Sequence, residues 1–336
     1  MSSSCSLSSN SRDWRKSGLF KSLVVLPMAV VAIGCASQTE SPTAEPGPTL
    51  ESSSEESTDE AGSELPGTDP LGVSTGTVLT VDGVEIAYDV RGQGDTTLVF
   101  VHCWTCDRSY WQEQLDTFAE DYRVVSLDLA GHGLSGTNRE DWTVAAHAAD
   151  VEAVLEELEL HNVIMVGHSM GGSVSVVAAG QMPERVIGIA CVDTLHDADA
   201  EFDPAFADQI ATQMEADFMA VRSEMLGQMF LPDSGGEVEA WVVQRGETAY
   251  APAEFDLLQD FATFDLGAAM SEVDVPIRCV NANALPPMIP ETAVDTNQQY
   301  ADFDAVIMDG VGHFLQLEDP EAFNVLLAET IAEIEG

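Results

Sequence analysis

Residues 163–172 read Val-Ile-Met-Val-Gly-His-Ser-Met-Gly-Gly. The apolar run at 163–166 is typical of a buried strand, and the small residues after Ser169 are typical of a helix that packs closely on a sheet. Gly167 and Gly171 flank the serine, which indicates a turn so tight that a Cβ at either position would collide with its neighbours. The stretch therefore predicts a sharp strand-to-helix turn that holds Ser169 above the end of a sheet.

Around this turn, apolar segments typical of strands alternate with segments of helical periodicity. Strands that alternate with helices indicate a parallel sheet covered on both faces. The Asp82-Gly83 pair is typical of a hairpin and makes the first two strands antiparallel. We therefore predict an α/β fold with a mostly parallel eight-stranded sheet, whose strands lie at 77–81, 85–90, 98–102, 122–129, 163–167, 186–193, 276–281 and 305–308 and whose main helices lie at 108–120, 142–160, 169–181 and 320–334.

The segment from about 196 to 272 interrupts this alternation between the sixth and seventh strands. It is acidic, bears several methionines and has helical periodicity. We predict that it is an inserted helical cap, which would supply apolar walls for a substrate and exclude water. The alternative is a segment that only thickens the fold.

The predicted turn at Ser169 is typical of a nucleophile elbow, which exposes a serine hydroxyl for covalent acyl transfer. Because a serine hydroxyl is a weak nucleophile at neutral pH, it needs a histidine to take its proton and a carboxylate to orient that histidine. With this kind of elbow the chain order is serine, acid, histidine. His313, in a glycine-bearing loop after the last strand, is the predicted base. His147 and His161 are expected at the surface, and His196 is a candidate pocket residue.

The carboxylate partner has two candidate positions. Asp193 ends the sixth strand, and we predict it as the acid; Asp197, four residues later, is the alternative. The other usual location follows the seventh strand, where this chain has Asn283. An asparagine can orient a histidine by a hydrogen bond, but it cannot offset the charge of an imidazolium ion.

An acyl-transfer site also needs two backbone N–H donors for the oxyanion. Met170, directly after the serine, is one predicted donor, and Cys103 or Trp104, after the third strand, is the other. His102 is predicted to brace that loop rather than to transfer protons.

The cysteines divide into two groups in the predicted domain. Cys103 and Cys106 lie in a Cys-x-x-Cys sequence beside the predicted oxyanion loop, and a small disulfide there would stiffen it. A zinc site would need two more nearby ligands, which are not evident. Cys191 and Cys279 fall within predicted core strands, and we predict that both are free buried thiols.

Four motifs together resemble the α/β-hydrolase superfamily in its esterase-like branch: His102-Cys-Trp, Asp128-Leu-Ala-Gly-His-Gly133, Gly167-His-Ser-Met-Gly-Gly172 and Gly312-His313-Phe. The resemblance covers about residues 77–335 and implies a serine hydrolase. Haloalkane dehalogenases and epoxide hydrolases of the superfamily carry aspartate at the elbow, so Ser169 argues against those activities. Two departures are Cys103, where the family usually has glycine, and the missing acid after the seventh strand.

The first 76 residues are predicted to be an export and anchoring segment. Four basic residues precede the apolar run at 23–33, so residues 1–34 are typical of a secretory signal peptide. Ala32-Ile33-Gly34-Cys35 resembles a bacterial lipobox, which implies cleavage before Cys35 and a lipid on its sulfur; an ordinary cleaved signal is the alternative. Residues 35–76 are rich in Ser, Thr, Glu and Pro, and we predict a disordered acidic tether. The chain is therefore expected in the bacterial cell envelope, held to a membrane by lipid.

The charge balance limits the partners. The formal net charge is −46, from 12 basic and 58 acidic residues. Such a surface repels nucleic acid phosphates, so we exclude nucleic acid as a partner. The acidity serves solubility or, alternatively, the steering of a cationic substrate.

Together these patterns predict a serine hydrolase that cleaves a small ester, thioester or lactone through an acyl-enzyme on Ser169, without a metal or an organic cofactor. A cofactor-free perhydrolase or a C–C bond hydrolase of the same fold stays open, as does a non-catalytic binding protein that kept the fold. The sequence does not indicate the oligomeric state.

Overall fold

The computed structural model describes residues 72–200, 204–232, 234–286 and 289–336. The predicted signal peptide, the predicted lipid attachment site Cys35 and almost all of the predicted tether lie outside the described residues. No helix within the described ranges is long and apolar enough to cross a membrane.

Within these ranges, eight strands form one sheet in the order β1-β2-β4-β3-β5-β6-β7-β8. Strand β2 pairs antiparallel with both β1 and β4, and every other pairing is parallel. The predicted α/β fold with a mostly parallel eight-stranded sheet is therefore confirmed. The strands are β1 Ser74–Leu79, β2 Glu85–Arg91, β3 Thr97–Val101, β4 Arg123–Leu127, β5 Val163–His168, β6 Val186–Val192, β7 Ile277–Ala282 and β8 Phe303–Met308.

The two central strands, β3 and β5, have continuous apolar sequences because they are buried on both faces. Every residue of β3 and of β5 is buried, as a parallel sheet covered on both faces requires. Helices α2 Val144–Glu157 and α3 Met170–Gln181 cover one face, and α1 Gln112–Phe118 and α10 Pro320–Glu335 cover the other. Two short helices, α8 Val294–Asn297 and α9 Leu315–Glu318, complete the packing around the last strands.

The helix predicted at 108–120 is divided in two. A 3₁₀ helix over Arg108–Trp111 precedes α1, because Asp107 caps it by accepting a hydrogen bond of 2.8 Å from the Ser109 N–H. The tighter turn lets Trp111 enter the core, where it is fully buried against Phe100.

The expectation that His147 lies at the surface is wrong. His147 lies on the inner face of α2 together with Val144 and Val151, and it is fully buried. Its ring packs edge-on against His132, with centroids 5.8 Å apart. Because these positions are three and four residues apart, the helical period already indicated this face. His161 is exposed, as expected.

In the described part of the segment between β6 and β7, which was predicted as a cap, there are four α-helices and one short 3₁₀ helix, Gly246–Thr248. The α-helices are α4 Pro204–Gly227, which is interrupted by the non-helical backbone of Asp217, α5 Gly236–Arg245, α6 Ala251–Phe261 and α7 Leu266–Met270. Helices α5 and α6 bond to the segments that follow β3: the Tyr110 hydroxyl donates to Val242 O at 3.2 Å, and the Trp104 indole donates to Glu254 O at 3.0 Å. The inserted helices therefore contact the carboxyl edge of the sheet.

Candidate active site

Ser169 lies in a strained backbone conformation between β5 and α3. Its φ of 54° and ψ of −119° are unusual for a residue with a side chain. Three hydrogen bonds hold it there. Its N–H donates to Val192 O at 3.0 Å, and its carbonyl accepts from the Gly172 N–H at 2.9 Å and from the Thr194 hydroxyl at 2.7 Å. The neighbouring strand β6 thus fixes the turn from outside.

The two glycines around the turn are required by close backbone contacts, as the sequence predicted. A Cβ on Gly167 would collide with the carbonyl of Gly171, and a Cβ on Gly171 would collide with Val101 O and lie 2.7 Å from His102 O. The start of α3 is therefore in contact with the loop after β3. Met170 is the first residue of α3, and the first N–H groups of a helix have no acceptor within it. The predicted oxyanion donors accordingly lie on two segments that touch each other.

Asp193 and His313 meet across the carboxyl edge of the sheet. The Asp193 Oδ2 and His313 Nδ1 atoms lie 2.5 Å apart, and both side chains are buried. Asp193 follows β6 directly; its N–H donates to Val280 O at 3.0 Å, and its Oδ1 accepts from the Ala282 N–H at 2.8 Å. Burial raises the pKa of the Asp193 carboxyl, but the hydrogen bond and charge of His313 outweigh it, so the pKa is lowered.

The loop that carries His313 is fixed from two sides. The His313 N–H donates to Met229 O, in the segment just after α4, at 2.8 Å. The Gly312 N–H lies 3.0 Å from both carboxylate oxygens of Glu318. The histidine loop is therefore tied both to the inserted segment and to α9.

His168, the residue before Ser169, connects the elbow to this loop. Its ring packs against that of His313 with centroids 4.7 Å apart. Gln316 donates to its Nδ1 at 3.1 Å, so its Nε2 carries the proton and donates to the His313 carbonyl at 2.9 Å. Burial, with the charge of His313, lowers the pKa of His168 to about 3, which keeps the ring neutral.

The two alternative positions for the partner of His313, Asp197 and Asn283, make other hydrogen bonds. The Asp197 carboxylate accepts from the Asp199 N–H at 3.0 Å, and the Asn283 amide donates to Asp309 at 2.8 Å. His196 instead lies near Asp193, with its Nε2 3.7 Å from Oδ1. Asp193 therefore bonds His313 through Oδ2, while His196 lies near Oδ1 without a hydrogen bond.

His102 is fully buried and links two loops. The Leu129 N–H donates to its Nε2 at 2.9 Å, so its Nδ1 carries the proton and donates to Cys103 O at 2.8 Å. Burial lowers the pKa of His102 to about 3. The neutral His102 ring therefore links the loops after β3 and β4 by hydrogen bonds.

Cys103 and Cys106 form a disulfide, with their Cα atoms 5.2 Å apart. The bridge is buried in a cluster that includes Tyr110 and Phe314, the residue after His313. Cys191 and Cys279 are free and buried, as predicted, and they face each other in the β6–β7 register.

The sequence did not indicate Glu254 as a functional residue. It lies on α6 but is fully buried, and its Oε2 accepts from the Thr105 N–H at 3.0 Å. Its Oε1 lies 2.7 Å from the Nε2 of His132. A glutamate in an acidic helix has no local pattern that sets it apart, so only its partners in distant loops identify it.

Within the described ranges, no group of three or more His, Cys, Asp or Glu side chains is arranged to hold a metal ion. The site instead consists of a strained serine, a buried histidine–carboxylate pair and two adjoining loops with backbone N–H groups.

Residues 98–325 match the model of the alpha/beta hydrolase family. The chain belongs to this family, and it is a hydrolase. Among its relatives is a pimeloyl-[acyl-carrier protein] methyl ester esterase of Yersinia enterocolitica, 25% identical over 73% of this chain and 96% of the relative. A solved structure of Est816, described as an N-acyl homoserine lactone degrading enzyme, superposes with a TM-score of 0.65 at 26% identity, over 76% of this chain and 99% of Est816.

A more similar but shorter match lies in a larger protein. The dihydrolipoyllysine-residue acetyltransferase component of the acetoin cleaving system of Cupriavidus necator is 38% identical over 120 residues, which are 36% of this chain. The match spans only 32% of that component's length.

Proposed function

We propose that the chain hydrolyses a small ester, thioester or lactone, with Ser169 as nucleophile, His313 as base and then acid, and Asp193 as the group that orients His313. The observation that carries this proposal is the 2.5 Å contact between His313 Nδ1 and Asp193 Oδ2. Because Asp193 occupies Nδ1, the Nε2 atom of the imidazole is left to take a proton from the serine hydroxyl.

The reaction has two halves. Ser169 Oγ attacks the substrate carbonyl carbon while His313 Nε2 accepts its proton. The N–H groups of Met170 and of Cys103 or Trp104 stabilise the resulting oxyanion. Collapse breaks the bond to the leaving group, which takes the proton from His313. A water molecule, deprotonated by the same imidazole, then attacks the acyl carbon. The bond between this carbon and Ser169 Oγ breaks, Oγ takes the proton back from His313, and the acid leaves. The lowered pKa of Asp193 keeps this carboxylate ionised at neutral pH, where it stabilises the imidazolium.

The buried apolar side chains of α4 support an apolar acyl group as substrate. Ile210, Met214 and Met225 form a buried cluster against which Trp104 packs. Trp104 belongs to the proposed oxyanion loop, so the apolar wall adjoins the reacting carbonyl. In this proposal the inserted helices act as a cap that shields the acyl-enzyme from water. The esterase and lactonase relatives are consistent with this substrate class.

Labelling with a fluorophosphonate probe tests the nucleophile. The wild-type chain is expected to become labelled at Ser169, and Ser169→Ala is expected to stay unlabelled while it keeps the wild-type Tm. An unlabelled wild-type chain would instead exclude Ser169 as the nucleophile. A panel of p-nitrophenyl esters with acyl chains of graded length then defines the size of the acyl pocket.

Two further activities of this fold use similar groups. A perhydrolase would transfer the same acyl group to hydrogen peroxide, and a C–C bond hydrolase would act on a ketone. A comparison of peracid formation with ester hydrolysis distinguishes a perhydrolase from the proposed esterase. A vinylogous diketone as substrate tests for a C–C bond hydrolase.

We also propose that the chain is exported and lipid-anchored in a bacterial cell envelope. The support is the sequence alone: a basic segment, an apolar run and Ala32-Ile33-Gly34-Cys35. Metabolic labelling with an alkyne fatty acid is expected to label the full chain in bacteria. Cys35→Ala is expected to abolish the label, and equal labelling of both would refute the anchor.

A further inference from the structure

Arg222 is a buried arginine whose charge has no carboxylate partner within ion-pair distance among the residues that the structure describes. It lies on α4 and is fully buried, and it is one of the largest side chains with no exposure. Its Nη2 donates to Val243 O at 3.0 Å, but Nε and Nη1 have no hydrogen-bond partner among the described residues. Buried polar groups are nearly always hydrogen-bonded, so an exception of this size requires an explanation.

The other arginines show how unusual this is in so acidic a chain. Of the eight arginines in the described ranges, six reach a carboxylate within ion-pair distance, and Arg123 is half-buried. Only Arg222 is both fully buried and without an ion pair in these ranges. The six paired residues are Arg91, Arg108, Arg139, Arg185, Arg245 and Arg278.

The surroundings of the guanidinium connect it to the candidate active site. A Cβ on Gly246 would lie 2.8 Å from its Nη1, so the group is held against the end of α5. Burial lowers the pKa of Arg222, while Tyr110, Glu247 and Glu254 act in the opposite direction. Tyr110 packs on Phe314, the residue after His313, with ring centroids 6.2 Å apart.

From the burial and the unused N–H groups, we infer that Arg222 binds the carboxylate of a small molecule that enters between α4, α5 and the loop after β3. Nε and Nη1 offer three N–H groups, and a guanidinium stays charged at neutral pH. The negative charges of Glu247 and Glu254 act on the Arg222 guanidinium. They oppose a doubly charged anion more strongly than a singly charged one, which favours a monocarboxylate over a phosphate dianion. That this carboxylate belongs to the substrate rests on the proposed function; that the site binds a monocarboxylate does not.

Butyrate and butyramide are a matched pair of probes for the site, since they differ in charge but hardly in shape. At constant ionic strength, butyrate is expected to raise the Tm of the wild-type chain saturably, and butyramide is not. Arg222→Met is expected to weaken butyrate binding at least tenfold. Arg123→Met is the control that removes the same charge elsewhere, and it should bind butyrate like the wild type. Equal responses to both probes in the wild type, or an unchanged response in Arg222→Met, would overturn the inference.

The stability of the unliganded variants distinguishes binding from a structural role. Because the charge is unpaired, Arg222→Met and Arg222→Gln are expected to keep or raise the wild-type Tm without ligand. A large fall in Tm for both variants would make Arg222 a structural residue and would refute the proposal.

Kinetics identify the source of the carboxylate. If it belongs to the substrate, the p-nitrophenyl ester of glutaric acid is expected to be hydrolysed with a higher kcat/KM than its methyl-capped analogue. Arg222→Met should remove this preference by raising KM, and butyrate should inhibit competitively. Saturable butyrate binding without competition would support the site as one for a free carboxylate. If Ser169 is not labelled by a fluorophosphonate but butyrate still binds through Arg222, the proposed hydrolysis fails and the anion site stands.

Discussion

His313 and Asp193 are 120 residues apart in the chain, and their Nδ1 and Oδ2 atoms lie 2.5 Å apart in the fold. Two parallel strands produce this proximity. Asp193 follows β6, and β7 lies beside it and supplies the Ala282 N–H that holds the second carboxylate oxygen. The carboxylate is therefore fixed by backbone before it meets the imidazole.

This pair gives the first prediction. Asp193→Asn keeps the side-chain shape but removes the negative charge that stabilises the imidazolium, and the amide can present its N–H₂ group to Nδ1. We expect kcat for p-nitrophenyl acetate to fall about 10⁴-fold. Asp197→Asn is the matched control and should keep the wild-type rate. Full activity in Asp193→Asn would exclude Asp193 as the orienting acid.

The second prediction concerns the glycine at the start of α3. Gly171→Ala introduces a Cβ that collides with Val101 O, so we expect a loss of about 1–3 kcal/mol in the free energy of unfolding. Gly180 lies in the same helix, and a Cβ there would meet only ordinary contacts at 3.5 Å from Glu272. Gly180→Ala should therefore stabilise the chain by about 0.5–1 kcal/mol. Urea denaturation measures both, and equal effects would contradict the assigned contact.

The third prediction concerns the Cys103–Cys106 disulfide. The loop that it closes is short, so replacing both cysteines by serine should cost only about 2 kcal/mol of stability. The same change frees the loop that carries the proposed oxyanion donor, so we expect kcat to fall by up to about 10²-fold. Cys279→Ala is the control for loss of a buried sulfur. A variant with full kcat and unchanged KM would assign the disulfide to stability alone.

The fourth prediction uses the His132–Glu254 pair between the β4 loop and α6. Burial lowers the pKa of His132, but the charge of Glu254 outweighs it, so the pKa is raised. Stability from this pair is therefore fully present below the unfolded histidine pKa of about 6.5 and is lost as pH rises through the folded value. We expect Glu254→Gln to destabilise the chain more at about pH 5.5 than at about pH 9.

Two neighbouring histidines change the stability with pH in the opposite direction. His102 and His147 pack against His132, and burial lowers the pKa of both. The charge of His132 also lowers the pKa of both rings, so their titration is coupled to that of His132. The difference between the unfolding free energies of the wild type and of Glu254→Gln, measured across the pH range, therefore reports the His132–Glu254 pair together with this coupling. A difference that does not change with pH would show that the pair is not charged.

The sequence predicted the parts of the molecule that local patterns control. The β5–elbow–α3 unit was located to within one residue, because its apolar run and its glycines both record local geometry. It also indicated Asp193, which follows the buried strand β6, and His313, which follows the last strand β8 by a short loop. His147 was misassigned because its polarity was weighed above its position on the apolar face of α2.

Other features depend on contacts between distant segments. Glu254 is set apart only by its contacts with Thr105 and His132, more than 100 residues away, and its own helix carries two other acidic residues. Arg222 is likewise one basic residue in an amphipathic helix until its burial and missing partner are known. No pattern within a single segment encodes the absence of an ion pair.

The backbone conformation at position 169 costs free energy, and contacts with the surrounding fold offset this cost. A residue with a side chain is held at a φ of 54° by bonds from β6 and from the start of α3. Glycine would adopt this geometry without strain, so Ser169→Gly should yield a chain that is inert as a hydrolase and yet melts at a higher temperature. The strained backbone at position 169 thus lowers the thermal stability of the fold and at the same time exposes the serine hydroxyl.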